Sequence, residues 1–169
     1  MSKIFIISDL HLSHTNMAIK RGFNTAEEHD EHIIEKWNSV VTKKDTVWIL
    51  GDITMEKTSP YHLLDKLKGI KNVVLGNHDM PQHVPKMLEH VNKVCSTFKK
   101  KGVIFTHIPI HTQEIGRFSK NIHGHLHENK VMKSIGVCGM PMEDDRYINV
   151  SCECVDFTPI ELNTLINKI

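Results

Sequence analysis

The chain has 169 residues, 40% hydrophobic and 24% charged, with a formal net charge of +1. That length suits one domain, residues 1–169, with a substantial core, and the near-neutral balance argues against a large nucleic-acid footprint. No cationic start leads into an apolar leader and no apolar run could cross a bilayer, so the expectation is a cytoplasmic protein without a membrane partner.

In chain order, Ile4–Ile7 reads as a buried strand, and His14, Asn16 and Arg21 as parts of a following loop. Thr25-Ala26-Glu27-Glu28 is a capping box opening a helix through about Val41, with Ile33, Ile34, Trp37, Val40 and Val41 on one stripe. After a second strand, Val47–Leu50, Ser59-Pro60 caps a helix faced by Leu63, Leu64 and Leu67 and ended by Gly69. Val73–Leu75 is a third strand. Pro81 to Asn92 reads as a helix carrying Val84, Leu88 and Val91, with Pro85 tolerable only near its first turn. Lys99-Lys100-Lys101 reads as a solvated turn before the strand Val103–Phe105, and His111 to Lys120 as a rim loop. Asn121-Ile122 is a weaker strand, and Val131 to Arg146 a hairpin or irregular excursion. Tyr147 to Val155 is a strand candidate, and Thr158-Pro159-Ile160-Glu161 is a capping box for a terminal helix with Ile160, Leu165, Ile166 and Ile169. Periodicity alone allows either a two-sheet arrangement or one doubly wound sheet.

Histidine is over-represented, with 13 residues, and it is the commonest metal ligand. His29, His32, His62, His83 and His90 lie in helical stretches without a partner pattern and read as surface or partly buried positions. Cys95, Cys138, Cys152 and Cys154 show no CxxC spacing and read as reduced thiols, Cys152 and Cys154 sharing one face of a strand.

Five segments carry the chemistry: Asp9-Leu10-His11, Gly51-Asp52, Gly76-Asn77-His78-Asp79, Thr106-His107 and Gly124-His125-Leu126-His127. Each follows an apolar run, and in sheets flanked by helices ligands collect outside the carboxyl ends of strands. The ordered set resembles the calcineurin-like metallophosphoesterases, whose pattern is DxH, GD, GNH(D/E), a lone His and GHxH. The resemblance implies an α/β fold, a two-sheet mixed β-sandwich flanked by helices in four layers. It also implies a phosphoric-ester hydrolase with two divalent transition-metal ions per chain and a metal-bridging hydroxide as nucleophile. In its terms Asp9, His11, Asp52 and His127 bind one metal, and Asp52, Asn77, His107 and His125 the other. Asp52 bridges because a carboxylate offers two oxygens with enough negative charge for both cations. His78 is catalytic without being a ligand, as transition-state stabiliser or general acid. Asp79 either orients His78 or caps the next helix.

The nitrogen and oxygen donors suit Mn²⁺, taken here as the first choice, or Fe, Zn, Ni or Co. His14, Arg21, His111 and Arg117 are candidates to touch substrate, the arginines by gripping phosphate, and His123 is a supporting residue. Gly51-Asp52 continues Ile53-Thr54-Met55-Glu56-Lys57, without the second Asp and the Arg of the GDxxDRG of protein Ser/Thr phosphatases. Ser8 to Asn16 and Tyr147 to Glu153 look like the small phosphoesterases of bacteria and their viruses. The reading is a phosphodiesterase on small nucleotide-type substrates or nucleic-acid ends, with a phosphomonoesterase as runner-up. A catalytically inactive interaction module is the alternative from another class, and it requires eroded ligands, which this chain does not show. Oligomeric state is left open.

Overall fold

The structure, a computed structural model, describes residues 2–55, 59–134 and 140–167. Strands β1 (Ile4–Ile7), β2 (Thr46–Ile49), β3 (Ile70–Val74), β4 (Lys93–Cys95) and β11 (Ile160–Glu161) form a first sheet in the order β11-β1-β2-β3-β4. Strands β5 (Phe98–Lys100), β6 (Val103–Phe105), β7 (Lys120–His123) and β10 (Tyr147–Asn149) form a second in the order β10-β7-β6-β5. Strands β8 (Met132–Ser134) and β9 (Pro141–Glu143) make a separate hairpin. Strands β1 to β4 are parallel, as are β6, β7 and β10; β11 and β5 pair antiparallel at the edges. The helices are α1 (Thr15–Lys20), α2 (Ala26–Val40), α3 (Val84–Met87), α4 (Thr112–Ile115) and α5 (Leu162–Asn167).

Alternation along the first sheet explains its apolar runs. Phe5, Ile7, Val47, Ile49 and Val73 face a core shared with Ile33, Trp37 and Val41, while Ile6, Trp48, Leu50 and Val74 face Val103, Phe105 and Ile122 of the second sheet. Each such fully buried side chain contributes about 1.5–3 kcal/mol. Phe98 joins the sheets by stacking between Trp48 and Phe105, at centroid distances of 3.9 and 4.1 Å. This is the mixed two-sheet sandwich, not one doubly wound sheet. On the outer face of the second sheet, Asn121 Oδ1 accepts from Ile110 N and Tyr147 Oη donates to Ile110 O, so the chain leading into α4 covers it. The two sheets are stitched at one rim, where Ser8 bridges Ser151 and Cys152 N donates to Ser8 O (3.1 Å).

Several expected elements differ. Pro81 to Asn92 is a 3₁₀ turn (Pro81–His83) followed by the four-residue α3. Prolines at 81 and 85 withhold two amides, and Met87 turns inward while Leu88 is exposed. The segment after Ser59 is a 3₁₀ helix, Tyr61–Lys66, capped by Pro60 and stopped before Gly69. The loop expected after His11 contains α1, so Asn16 is helical. The rim loop from His111 includes α4, and Lys99 and Lys100 lie in edge strand β5, where exposed lysines discourage further pairing. Tyr147 to Val155 is strand only to Asn149, whose Oδ1 accepts from Ser151 N and Oγ and turns the chain into a 3₁₀ turn, Cys152–Cys154. The two cysteines therefore do not share a strand face. The Thr158 box yields no helix start: Ile160 and Glu161 pair with β1, Glu161 meets Lys3 at 2.8 Å, and α5 begins at Leu162. Thr25 does cap α2, its Oγ1 accepting from Glu28 N at 3.1 Å, though Val40 faces outward. Cys138 and Ile169 lie outside the described residues. Among those described, no helix is long and apolar enough to cross a membrane.

Candidate metal centre

The ligand segments sit where β1, β2, β3, β6 and β7 end. Asp9, His11, Asp52, His125 and His127 all adopt left-handed backbone conformations, with φ between 49 and 69°. For residues other than glycine this costs on the order of 1 kcal/mol or more each and persists where surroundings over-determine it, typically at functional sites. Gly76 and Gly124 allow the close approach that follows: a Cβ on Gly76 would strike the Asp52 carboxylate, and one on Gly124 would strike Ser8 Oγ and Asp9 Oδ2.

The donors fall into two clusters, Asp9–His11–His127 and Asp52–His107–His125, each with ligand atoms within 4.8 Å of one another. Asn77 belongs with the second, its Oδ1 lying 2.9 Å from His107 Nε2. Asp52 Oδ2 faces both, 3.3 Å from His107 Nε2 and 3.9 Å from His11 Nε2. Its Oδ1 instead accepts from His78 N at 3.0 Å. Asp52 thus addresses both clusters through one oxygen, where two were expected to share the task.

These residues fit divalent cations. His11 is 2% exposed, yet neither ring nitrogen has a hydrogen-bond partner, and burial lowers its pKa to about 3, keeping the imidazole in its neutral, ligating form. His107 Nδ1 donates to Leu50 O (2.7 Å); a carbonyl only accepts, so the lone pair sits on Nε2, aimed at Asp52 and Asn77 oxygens. Three lone-pair donors at 2.9–3.3 Å surround a place that wants positive charge. Without a cation, burial lowers the His107 pKa, but the Asp52 carboxylate outweighs it and the net shift is upward.

The supporting residues were mostly unforeseen. Asp9 Oδ2 accepts from Ser151 Oγ (2.9 Å) and His125 N (3.0 Å). Asp79, buried, does not cap the Pro81 turn, whose N-cap is Met80; its carboxylate accepts from the backbone amides of Asp52 (2.8 Å), Ile53 (3.2 Å) and Gly76 (2.9 Å) and ties two ligand loops together. His127 Nδ1 donates to Glu153 Oε1 (2.9 Å), which also accepts from Arg21 Nε (2.8 Å). Burial alone would raise Glu153, but His127 and Arg21 pull its pKa to about 2. Only the Glu's place two residues beyond Ser151 hints at this in the sequence.

Arg21 is a correction among the substrate candidates. Its side chain is 2% exposed and committed to Glu153, Asp9 O and Leu10 O, so it grips no phosphate. His29, expected at a surface or partly buried position, is fully buried beside it, with Nε2 2.8 Å from Arg21 Nη1. His14 is half-buried with its ring centroid 6.1 Å from that of His11, and the His78 ring lies 5.7 Å from it. His111 is exposed and caps α4, and Arg117 is exposed in the turn after it. His123 is buried behind the ligands, its Nδ1 donating to Gly124 O (2.7 Å).

Comparisons with known proteins agree with this geometry. A protein of Aquifex aeolicus described as of unknown function, AQ665, superposes with a TM-score of 0.71 at 24% identity over the whole of both chains, which shows the shared fold. The Gene 66 protein of Mycobacterium phage D29 is 30% identical over all of this chain and 98% of its own. The uncharacterized protein MJ1445 of Methanocaldococcus jannaschii is 29% identical over all of this chain and 92% of its own. The family profile of the calcineurin-like phosphoesterase superfamily domain matches residues 2–150, taking in every ligand segment and both sheets' ligand-bearing strands. With that span matched and the Asp–His clusters assembled on one rim, this chain belongs to the calcineurin-like phosphoesterase superfamily.

Proposed function

We propose that the chain is a dinuclear metal-dependent phosphodiesterase acting on small nucleotide-type substrates or nucleic-acid ends, with Mn²⁺ as the first choice of metal. Family membership supports phosphoric-ester hydrolysis, and the two donor clusters support a metal requirement. The observation that carries the two-metal reading is Asp52 Oδ2, facing His11 of one cluster and His107 of the other.

When bound, such a pair supplies Lewis acidity to phosphoryl oxygens and activates water for in-line displacement. The chain's own residues do the rest. Asp52 offers one oxygen to both clusters while its other is fixed by the His78 amide, which anchors the His78 backbone beside the bridge. From the rim, the His78 imidazole donates a proton to the leaving oxygen. Asn77, exposed beside it, supplies a neutral donor that leaves the second cluster open towards substrate. Arg21 faces inward, so no guanidinium from β1's loop meets the phosphate; a singly charged diester needs less compensation than a doubly charged monoester, and this favours the diester.

The test is a metal-by-substrate screen with bis-p-nitrophenyl phosphate, p-nitrophenyl phosphate and 2′,3′-cyclic nucleotides. Faster turnover of the diesters with Mn²⁺ is expected. Preference for the monoester overturns the diester assignment, and no hydrolysis at verified metal occupancy overturns the enzyme reading.

A further inference from the structure

We infer that Arg21 and Glu153 form a positioning pair that sets metal affinity at the Asp9–His11–His127 cluster and leaves the Asp52–Asn77–His107–His125 cluster unaffected. The inference rests on reading both clusters as metal sites.

Glu153 is the hinge of the pair. Its Oε1 receives Arg21 Nε at 2.8 Å and His127 Nδ1 at 2.9 Å. An ionised carboxylate only accepts, so His127 Nδ1 carries a proton, and the neutral ring that ligates a metal has its lone pair on Nε2. A carboxylate behind a ligating imidazole fixes its tautomer and orientation and strengthens it as a donor. Arg21 extends the same grip to the other two ligands. Its Nη2 donates to Asp9 O (2.7 Å) and its Nη1 to Leu10 O (3.1 Å), the carbonyls of the two consecutive peptides that run from Asp9 through Leu10 to His11. One planar guanidinium therefore clamps the β1 end and, through Glu153, the His127 ring. A lysine lacks the fork to reach these acceptors together.

The surroundings are built to keep this pair in place. The 3₁₀ turn bearing Glu153 runs into Asp156 and Phe157, both left-handed at φ 48 and 55°. For a bulky phenylalanine that is a strained backbone. It lets Phe157 N donate to Cys152 O (2.9 Å) and lays the Phe157 ring 5.5 Å from the Arg21 guanidinium carbon, packed edge-on against Phe23. His29 closes the other side, hydrogen-bonded to Asp30, which accepts from Ser13 N. Three separated segments thus converge on a guanidinium that touches no ligand side chain. Among the described residues the second cluster is held differently: the His107 ring is oriented by the Leu50 carbonyl, the Asp52 carboxylate by the His78 amide, and Asp79 ties the Asp52 and Gly76 loops through their backbone amides.

The test compares Mn²⁺ binding to wild-type protein and Glu153→Gln by calorimetry, with occupancy at each cluster read by anomalous scattering. Gln keeps the shape but loses the charge. Affinity at the Asp9–His11–His127 cluster should fall 10–100-fold, while the second stays within about twofold, and Glu153→Asp should recover part of the loss. Circular dichroism establishes that each variant is folded. Should Glu153→Gln not fold, ¹⁵N-histidine NMR of the metal-free wild type, taken at a pH where the His127 ring is neutral, gives the second readout: the proton on Nδ1 supports the pair, and on Nε2 overturns it. Two wild-type sites that both survive Glu153→Gln unchanged, or that weaken equally, overturn the pair's role alone. Wild-type protein that takes up fewer than two ions overturns the metal reading and this inference with it.

Discussion

The two donor clusters meet at Asp52 but draw their supports from different places. Around Asp9, His11 and His127 the supports are side chains from far along the chain: Ser151 Oγ on Asp9, Glu153 on His127, and Arg21 behind both. Around Asp52, Asn77 and His107 they come from the ligand loops themselves, the Leu50 carbonyl, the His78 amide and the Asp79 carboxylate on loop amides, packed closely because Gly51 and Gly76 carry no side chain. One half is thus open to tuning by substitution at a distance. The other tolerates little change even within its own loops.

Asp52→Asn should have the largest effect, because Asp52 is the element common to both halves. The amide oxygen lacks the charge to serve two cations, and turnover should drop by at least about a thousandfold with the fold intact by circular dichroism. Activity within tenfold of wild type at matched metal occupancy would remove Asp52 from the shared position.

His78 stands on the loop of one half and places its ring 5.7 Å from His11 of the other. His78→Ala should keep both metals yet lose about 10²–10⁴-fold on nucleotide esters, and far less on nitrophenyl esters, whose leaving group departs unprotonated. Equal losses on both would show His78 stabilising phosphoryl charge instead of donating a proton. Loss of an ion would reassign it as a ligand.

Gly76→Ala probes the half held by its own loops directly. The new Cβ would lie 2.5 Å from Asp52 N and closer still to its carboxylate, an overpacking worth about 1–3 kcal/mol. Urea denaturation should show that loss together with weakened metal binding at the second cluster. An unchanged midpoint would mean that the loops can separate.

Asp79→Asn is the mildest of the four. The amide can still accept from part of the set of Asp52, Ile53 and Gly76 amides, so a loss of about 1–2 kcal/mol is expected. The same denaturation series checks it, and a change below about 0.3 kcal/mol would show those amides finding other acceptors.

Legibility follows the same division. Gly51-Asp52 and Gly76-Asn77-His78-Asp79 place the glycine, the ligand and the loop-tying carboxylate within a few residues of one another, so local pattern exposes them. Arg21 and Glu153 are 132 residues apart, and each alone reads as an ordinary polar residue. Arg21 reads in sequence as a phosphate-gripping loop residue because nothing local says that α1 ends by turning it inward. The short strands β4 and β5 were missed because three residues cannot establish a period.

By itself the amino-acid sequence determined the apolar strands, the capped helix α2, the five ligand segments and the family they belong to, since each is encoded by residues adjacent in the chain. Only the tertiary structure decided that the sheets stack as a sandwich, that Asp52 turns one oxygen to both clusters, and that Asp79 binds loops together. It also decided that the Pro81 segment stays a pair of short turns while Ile160 joins a sheet. Those outcomes depend on which distant backbone amides, carbonyls and charges are left without partners once the core has closed, and a buried polar group must find one.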